Sequence, residues 1–134
     1  MRMQFGLNAG VGVAGAVLNY MFGGWNELLD LFLLLIVLDY ATGIAASIKT
    51  GKGLSSAKGF WGIWKKGMML LVVMVGHRFD LVLGTDLFMV GFIYFYMANE
   101  LVSIVENCGE LGFPLPGGIR RLIEALKDKG DGRH

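Results

Sequence analysis

The sequence predicts an all-α polytopic membrane protein: a helix bundle of four transmembrane spans followed by a short C-terminal amphipathic helix. Three observations predict it. Hydrophobic residues make up 54% of the 134-residue chain and charged residues only 17%, with a mean hydropathy of +0.57, whereas soluble domains carry about a quarter charged residues. Four apolar stretches approach or reach the roughly 20 residues with which a helix crosses a bilayer. The basic and acidic residues between them fall in alternate connections, as in a chain that threads back and forth. The chain reads as one membrane domain with spans at 5–22, 28–48, 60–83 and 87–106, a basic loop at 49–59 and a tail at 117–134. The alternative is three spans, with the N-terminal segment lying in the membrane interface.

The first segment, FGLNAGVGVAGAVLNYMF, is uncharged but diluted by Asn8 and Asn19. Gly6, Gly10 and Ala14 recur at every fourth position, a small-residue ladder that lets a helix pack closely on a copy of itself or on another helix of the same chain. A secretory signal fits less well, because the segment lacks a Leu-rich core and no exported domain follows. Gly23 and Gly24 then break the helix, Asn26 suits the N-cap of the next, and Glu27 and Asp30 suit its positive end. Trp25 belongs at headgroup level.

In the second span Asp39 interrupts the run LLDLFLLLIVLDYATGIAAS. A carboxylate near the bilayer centre costs at least about 2.5–3.5 kcal/mol, so it must face protein or water. Thr42, Gly43 and Ala46 share its face at helical spacing, and this small, polar stripe is the side expected to pack on other helices.

The following loop carries Lys49, Lys52 and Lys58, with Lys65 and Lys66 just beyond and no acidic residue in between. Such a loop is expected in the cytoplasm. Trp61 and Trp64 mark an interfacial belt, and Ser55 or Ser56 is a helix cap. In the third span Gly62, Lys66, Val73, Gly76, His77 and Asp80 fall near one face. His77, Arg78 and Asp80 form a polar cluster expected on the outer side, where Glu27, Asp30 and Asp86 also collect. Arg78 is expected to snorkel outward or to pair with Asp80 or Asp30.

The fourth span holds Phe92, Tyr94, Phe95 and Tyr96, then Asn99 and Glu100. Pro114 and Pro116 prevent the helix from simply continuing. Beyond them Ile119, Leu122, Ile123 and Leu126 lie opposite Arg120, Arg121, Glu124, Lys127 and Asp128. This tail is expected on the inner membrane surface or free in the cytoplasm, with both termini cytoplasmic.

Depth suggests which charges meet. Asp39 lies ten residues from Lys49, Lys66 eight from Lys58, and Glu100 seven from Asn107. At 1.5 Å per residue the first two depths differ by only about 3 Å. Asp39 and Glu100 are therefore expected to be neutralised by Lys65 and Lys66, either as a folding device or as groups that come to line an aqueous opening.

The remaining motifs point away from catalysis and cofactors. His77 and Asp80 lack a nucleophile, and Cys108 has no neighbouring His. The two His and one Cys have no metal-ligand spacing. Gly10 to Gly15 matches G-x-G-x-x-G without a preceding strand. A nucleic-acid role is not expected.

The order of Gly23-Gly24-Trp25, Leu38-Asp39-Tyr40-Ala41-Thr42-Gly43, Lys65-Lys66, His77 to Asp80, Asn99-Glu100-Leu101-Val102-Ser103-Ile104-Val105-Glu106-Asn107 and Leu111-Gly112-Phe113-Pro114-Leu115-Pro116 resembles the toxin-secretion and phage-lysis holin family. The resemblance implies a phage-encoded or prophage-encoded protein that accumulates in the bacterial inner membrane and assembles with itself into holes. Through these an endolysin, or in some relatives a toxin, crosses without direct contact being implied. The runners-up are a small ion or solute channel or transporter subunit and an antiholin-type regulator.

Overall fold

The structure, a computed structural model, describes residues 1–53, 56–113 and 117–130, without the side chains of Ile119, Arg120, Ile123, Glu124, Lys127 and Gly130. Within these residues it is all-helical: α1 (Arg2–Phe22), α2 (Glu27–Lys49), α3 (Ser56–Leu83), α4 (Leu87–Leu111) and α5 (Gly117–Gly130). The proposed cap Ser55 and the segment from Pro114 to Pro116 lie outside the described residues, as do the side chains of half the tail's expected faces.

The helix ends follow local chemistry. Gly23 closes α1 with φ 74°, a left-handed conformation that glycine adopts without a Cβ penalty. Asn26 caps α2 by accepting from Leu29 N at 2.9 Å, and Trp25 Nε1 donates to Asp30 Oδ1 at 3.3 Å. Two boundaries differ from the expectation. α3 begins at Ser56, which shortens the loop and puts Lys58 on the helix; Ala57 and Lys58 are good helix formers, and Gly59 stays inside the helix with its bare backbone against Tyr40. α4 runs on to Leu111 and ends at Gly112, φ 89°, so this glycine stops the helix before the prolines are reached.

α4 is the hub, with α2, α3 and α5 packed on it, while α1 rests on α3. α2 and α4 run the same way: Phe32 stacks on Tyr96 near one end, and Lys49 Nζ donates to Leu111 O at 2.7 Å at the other. α3 is antiparallel to both, so Gly76 meets Met89 and Phe92 while Lys66 meets Glu100. At Gly76 the surface of α3 lies tight against α4. A Cβ there would stand 2.7 Å from Phe92 Cδ2 and 3.2 Å from the backbone of Met89. Gly59 and Gly62 likewise receive the ring of Tyr40, whose hydroxyl donates to Gly59 O at 3.4 Å.

The tail does not stand free. α5 folds back along α4, and the Lys129 ammonium lies 4.9 Å from the centre of the Tyr94 ring.

α1 is the opposite case. All of its residues from Arg2 to Tyr20 are exposed, and nothing lies within 4 Å of the Cβ positions of Gly6 and Gly10. Ala14 on the same ladder is exposed too. α1 touches α3 only through its last turn. Arg78 sits 4.1 Å above the Tyr20 ring and donates to Tyr20 O at 3.5 Å, and His77 packs so close to Gly23 that a Cβ there would meet it at 2.6 Å.

Candidate functional site

Three helices bring charges together halfway along the bundle. Lys66 Nζ donates to Asp39 Oδ2 at 2.7 Å and to Glu100 Oε2 at 2.8 Å, joining α3 to α2 and α4 at once. Asn107, two turns below Glu100 on α4, donates through Nδ2 to Asp39 Oδ1 at 3.1 Å, to Asp39 O at 3.2 Å and to Thr42 Oγ1 at 3.0 Å. Thr42 Oγ1 itself donates to Leu38 O at 2.7 Å. Glu100 is 4% exposed, and the ion-pair partners are mostly enclosed. Formally, two carboxylates face one ammonium, and Asn107 supplies Asp39 with a further hydrogen bond that helps to offset the excess of negative charge.

The small residues expected beside Asp39 are what let the chain close around this cluster. A Cβ on Gly43 would stand 3.5 Å from Asn107 Nδ2, and Ala46 is fully enclosed. Below the triad a cleft of ≈ 430 Å³ opens between α2, α3 and α4, lined by Asp39, Lys66 and Glu100 at its head and by Ser47, Lys58, Ser103 and Glu106 lower down.

Lys65 is not part of the ion pair, in contrast to the expectation that both lysines serve the two anions. Adjacent helical residues diverge by about 100°, so when Lys66 points inward Lys65 points to the cleft's rim and to the groove beyond it.

Of the expected outer cluster, His77 and Asp80 line one cavity beside Thr85 and Met89, while Arg78 stands apart from them. Each serves a different neighbour: His77 the turn at Gly23, Arg78 the Tyr20 ring, and Asp80 the start of α4. Asp80 accepts from Phe88 N at 3.0 Å, Met89 N at 2.9 Å and Thr85 Oγ1 at 2.8 Å. It thereby caps α4 from a neighbouring helix, and Arg78 pairs with neither Asp80 nor Asp30. Asn107, Tyr20 and Thr85 were not singled out by sequence. Asn107 carried a signal, since it lies seven residues, two helical turns, from Glu100.

The outward surface is apolar over long tracts: Leu34 and Val37 on α2, Phe79 and Val82 on α3 and Leu87 on α4 are all exposed, a pattern that marks a membrane-facing surface. α1, α2 and α4 are long and apolar enough to cross a membrane; charges near both ends of α3 dilute its hydropathy. Together, apolar spans outside and an ion-paired polar cluster inside define a small helical membrane protein. The chain belongs to the bacteriophage holin family, a family of pore-forming membrane proteins whose pattern matches residues 16–128. It is 38% identical over 122 residues to an uncharacterised 14.9 kDa protein of Clostridium perfringens, covering 90% of this chain and 92% of the relative. It is 41% identical over 122 residues to an uncharacterised protein of Listeria innocua, covering 90% and 86%. A protein of Bacillus phage phi105 named as a probable holin is 31% identical over 113 residues, covering 84% and 82%. No solved structure matches.

Proposed function

We propose that the protein is a holin that accumulates in the bacterial inner membrane and assembles with itself into lesions wide enough for an endolysin or a toxin to pass. The observation that carries this reading, beyond family membership, is the charge cluster at the centre of the bundle. Asp39, Lys66 and Glu100 satisfy one another in the closed protomer. When protomers rearrange, the same groups are fit to line water, whereas lipid would reject them.

The topology supports it. α2 and α4 run the same way, so if both cross the membrane, α3 must cross between them; with α1 this makes four spans. The lysines at the C-terminal end of α2 and the start of α3 favour a cytoplasmic position for that side by the positive-inside rule. α5 departs from the expected cytoplasmic tail: it runs back along α4 until Lys129 reaches Tyr94, which carries the C-terminal end away from the lysine-rich side. Arg121, Asp128 and Lys129 are exposed there, and beside a span only water or protein accommodates such groups. α1 offers the assembly surface: a span-length helix with its small-residue ladder uncovered and Asn8 without a side-chain partner among the described residues. A second protomer supplies both.

The deciding experiment is expression in a bacterium that holds a muralytic enzyme in its cytosol. Escape of the enzyme and lysis are expected. Ion leakage without enzyme release means a channel of fixed size, and delayed killing when the protein is added to an intact lysis cassette means an antiholin.

A further inference from the structure

We propose that the groove between α3 and α4 in the cytoplasmic half of the bundle binds an anionic glycerophospholipid, with the headgroup phosphate drawn to the Lys65 ammonium, whose four-carbon stem lets it reach toward the cytoplasmic end, and an acyl chain along Met68 and Val72. The groove has a volume of ≈ 400 Å³ and separates its chemistry by depth. Lys65, Met68 and Val72 follow one another at i, i+3 and i+7 on one side of α3, so the cation heads an apolar stripe that runs away from the cytoplasmic end. That is the order in which a phospholipid presents charge and hydrocarbon. Across the groove α4 contributes Tyr96 and Asn99.

The polar groups of this groove are unclaimed. Lys49 is held by Leu111 O, Lys66 by two carboxylates, and Lys52 lies 4.0 Å from Glu110. Among the described residues Lys65 makes no hydrogen bond or ion pair, and the same holds for the Tyr96 hydroxyl and the Asn99 amide. An ammonium and, one residue from the Lys66–Glu100 level, an amide N–H beside an apolar trough suit a phosphodiester oxygen. Trp61 and Trp64, both more than half exposed, flank it as interfacial indoles do.

A second copy of the chain fits the groove poorly. No acidic residue occurs between Lys49 and Lys66, so a copy seated symmetrically would bring Lys65 against Lys65. An anionic lipid neutralises it.

The inference rests on α3 and α4 lying in the bilayer, and the test separates the two. The full chain with Trp25→Phe, which leaves Trp61 and Trp64 as the fluorophores, is reconstituted into mixed vesicles. Quenching by brominated-chain phosphatidylglycerol is compared with quenching by brominated-chain phosphatidylcholine at equal mole fraction. A preference of about five-fold for phosphatidylglycerol is expected, the effect of one lysine beside an anionic phosphate. Lys65→Gln should abolish the preference, Lys65→Arg should keep it, and Lys52→Gln, in the same basic loop but away from the groove, should leave it unchanged. Equal quenching by both lipids overturns the proposal, as does a preference that survives Lys65→Gln. A preference lost equally in Lys52→Gln shows diffuse attraction and also overturns it, as does release of the lipid by millimolar inorganic phosphate. No quenching by either lipid overturns the placement in the bilayer itself.

Discussion

Lys66 Nζ stands 2.7 Å from Asp39 Oδ2, and the same ammonium reaches Glu100 on a third helix. One cation therefore fixes the relative position of α2, α3 and α4. In a membrane this matters more than in water, because lipid tails are as apolar as Leu and burial alone gives helices little reason to associate.

Lys66→Met leaves two carboxylates facing each other without a cation. Breaking a buried ion pair from one side costs about 3–5 kcal/mol. The variant is expected to accumulate poorly in membranes, measured by immunoblot of the membrane fraction, and to unfold at lower temperature in detergent. The triple variant Asp39→Leu, Lys66→Met, Glu100→Met removes all three charges together and should recover most of that accumulation. Accumulation of the single variant at the wild-type level would show that the pair does not hold the bundle.

Asp39→Asn acts differently. It leaves Lys66 and Glu100 as a balanced pair, and the amide can still receive the Asn107 hydrogen bond through its oxygen. Normal accumulation with altered onset of lysis is expected, followed by turbidity of an expressing culture alongside the blot. Loss of accumulation would assign Asp39 to folding alone.

At the end of the bundle where α3 turns into α4, packing and capping replace charge. Gly76→Val forces atoms into Phe92 and the Met89 backbone, and overpacking of this kind costs about 1–3 kcal/mol. Asp80→Ala removes the acceptor of three hydrogen bonds at the start of α4, costing about 1–2 kcal/mol for a lost cap. Both should lower the unfolding temperature in detergent, and since the two sites lie on the same α3–α4 contact, their double variant should deviate from additivity.

Much of this was legible in the residues. Periodicity located each helix, and the depth count placed Asp39, Lys66 and Glu100 within reach of one another. What it could not resolve was direction around the helix axis. Lys65 and Lys66 have the same depth, and only the angle of α3, set by Gly76 against Phe92, decides which one faces inward. Arg78 parts from His77 and Asp80 for a related reason: one residue on from His77 it is turned about 100° around the axis, toward the Tyr20 ring. The fold-back of α5 was not legible either, since an amphipathic pattern specifies an apolar partner without saying whether it is a membrane surface or α4.

The uncovered ladder of α1 separates folding from assembly. Gly10 has nothing within 4 Å of its Cβ position, so Gly10→Ile adds a side chain into open space and should leave the protomer's unfolding temperature unchanged. If α1 joins protomers through this face, the added bulk holds the backbones apart and removes the close approach on which such contacts depend. Chemical cross-linking in membranes should then show fewer higher oligomers, and lysis should be delayed or lost at equal protein level. Asn8→Leu should weaken assembly by a smaller amount, since hydrogen bonds between membrane helices contribute only about 0.6–2 kcal/mol. If cross-linked ladders and lysis timing both stay at wild-type values in Gly10→Ile, α1 is not the joining surface. The contact between protomers is then to be sought on the exposed apolar faces of α2, α3 and α4.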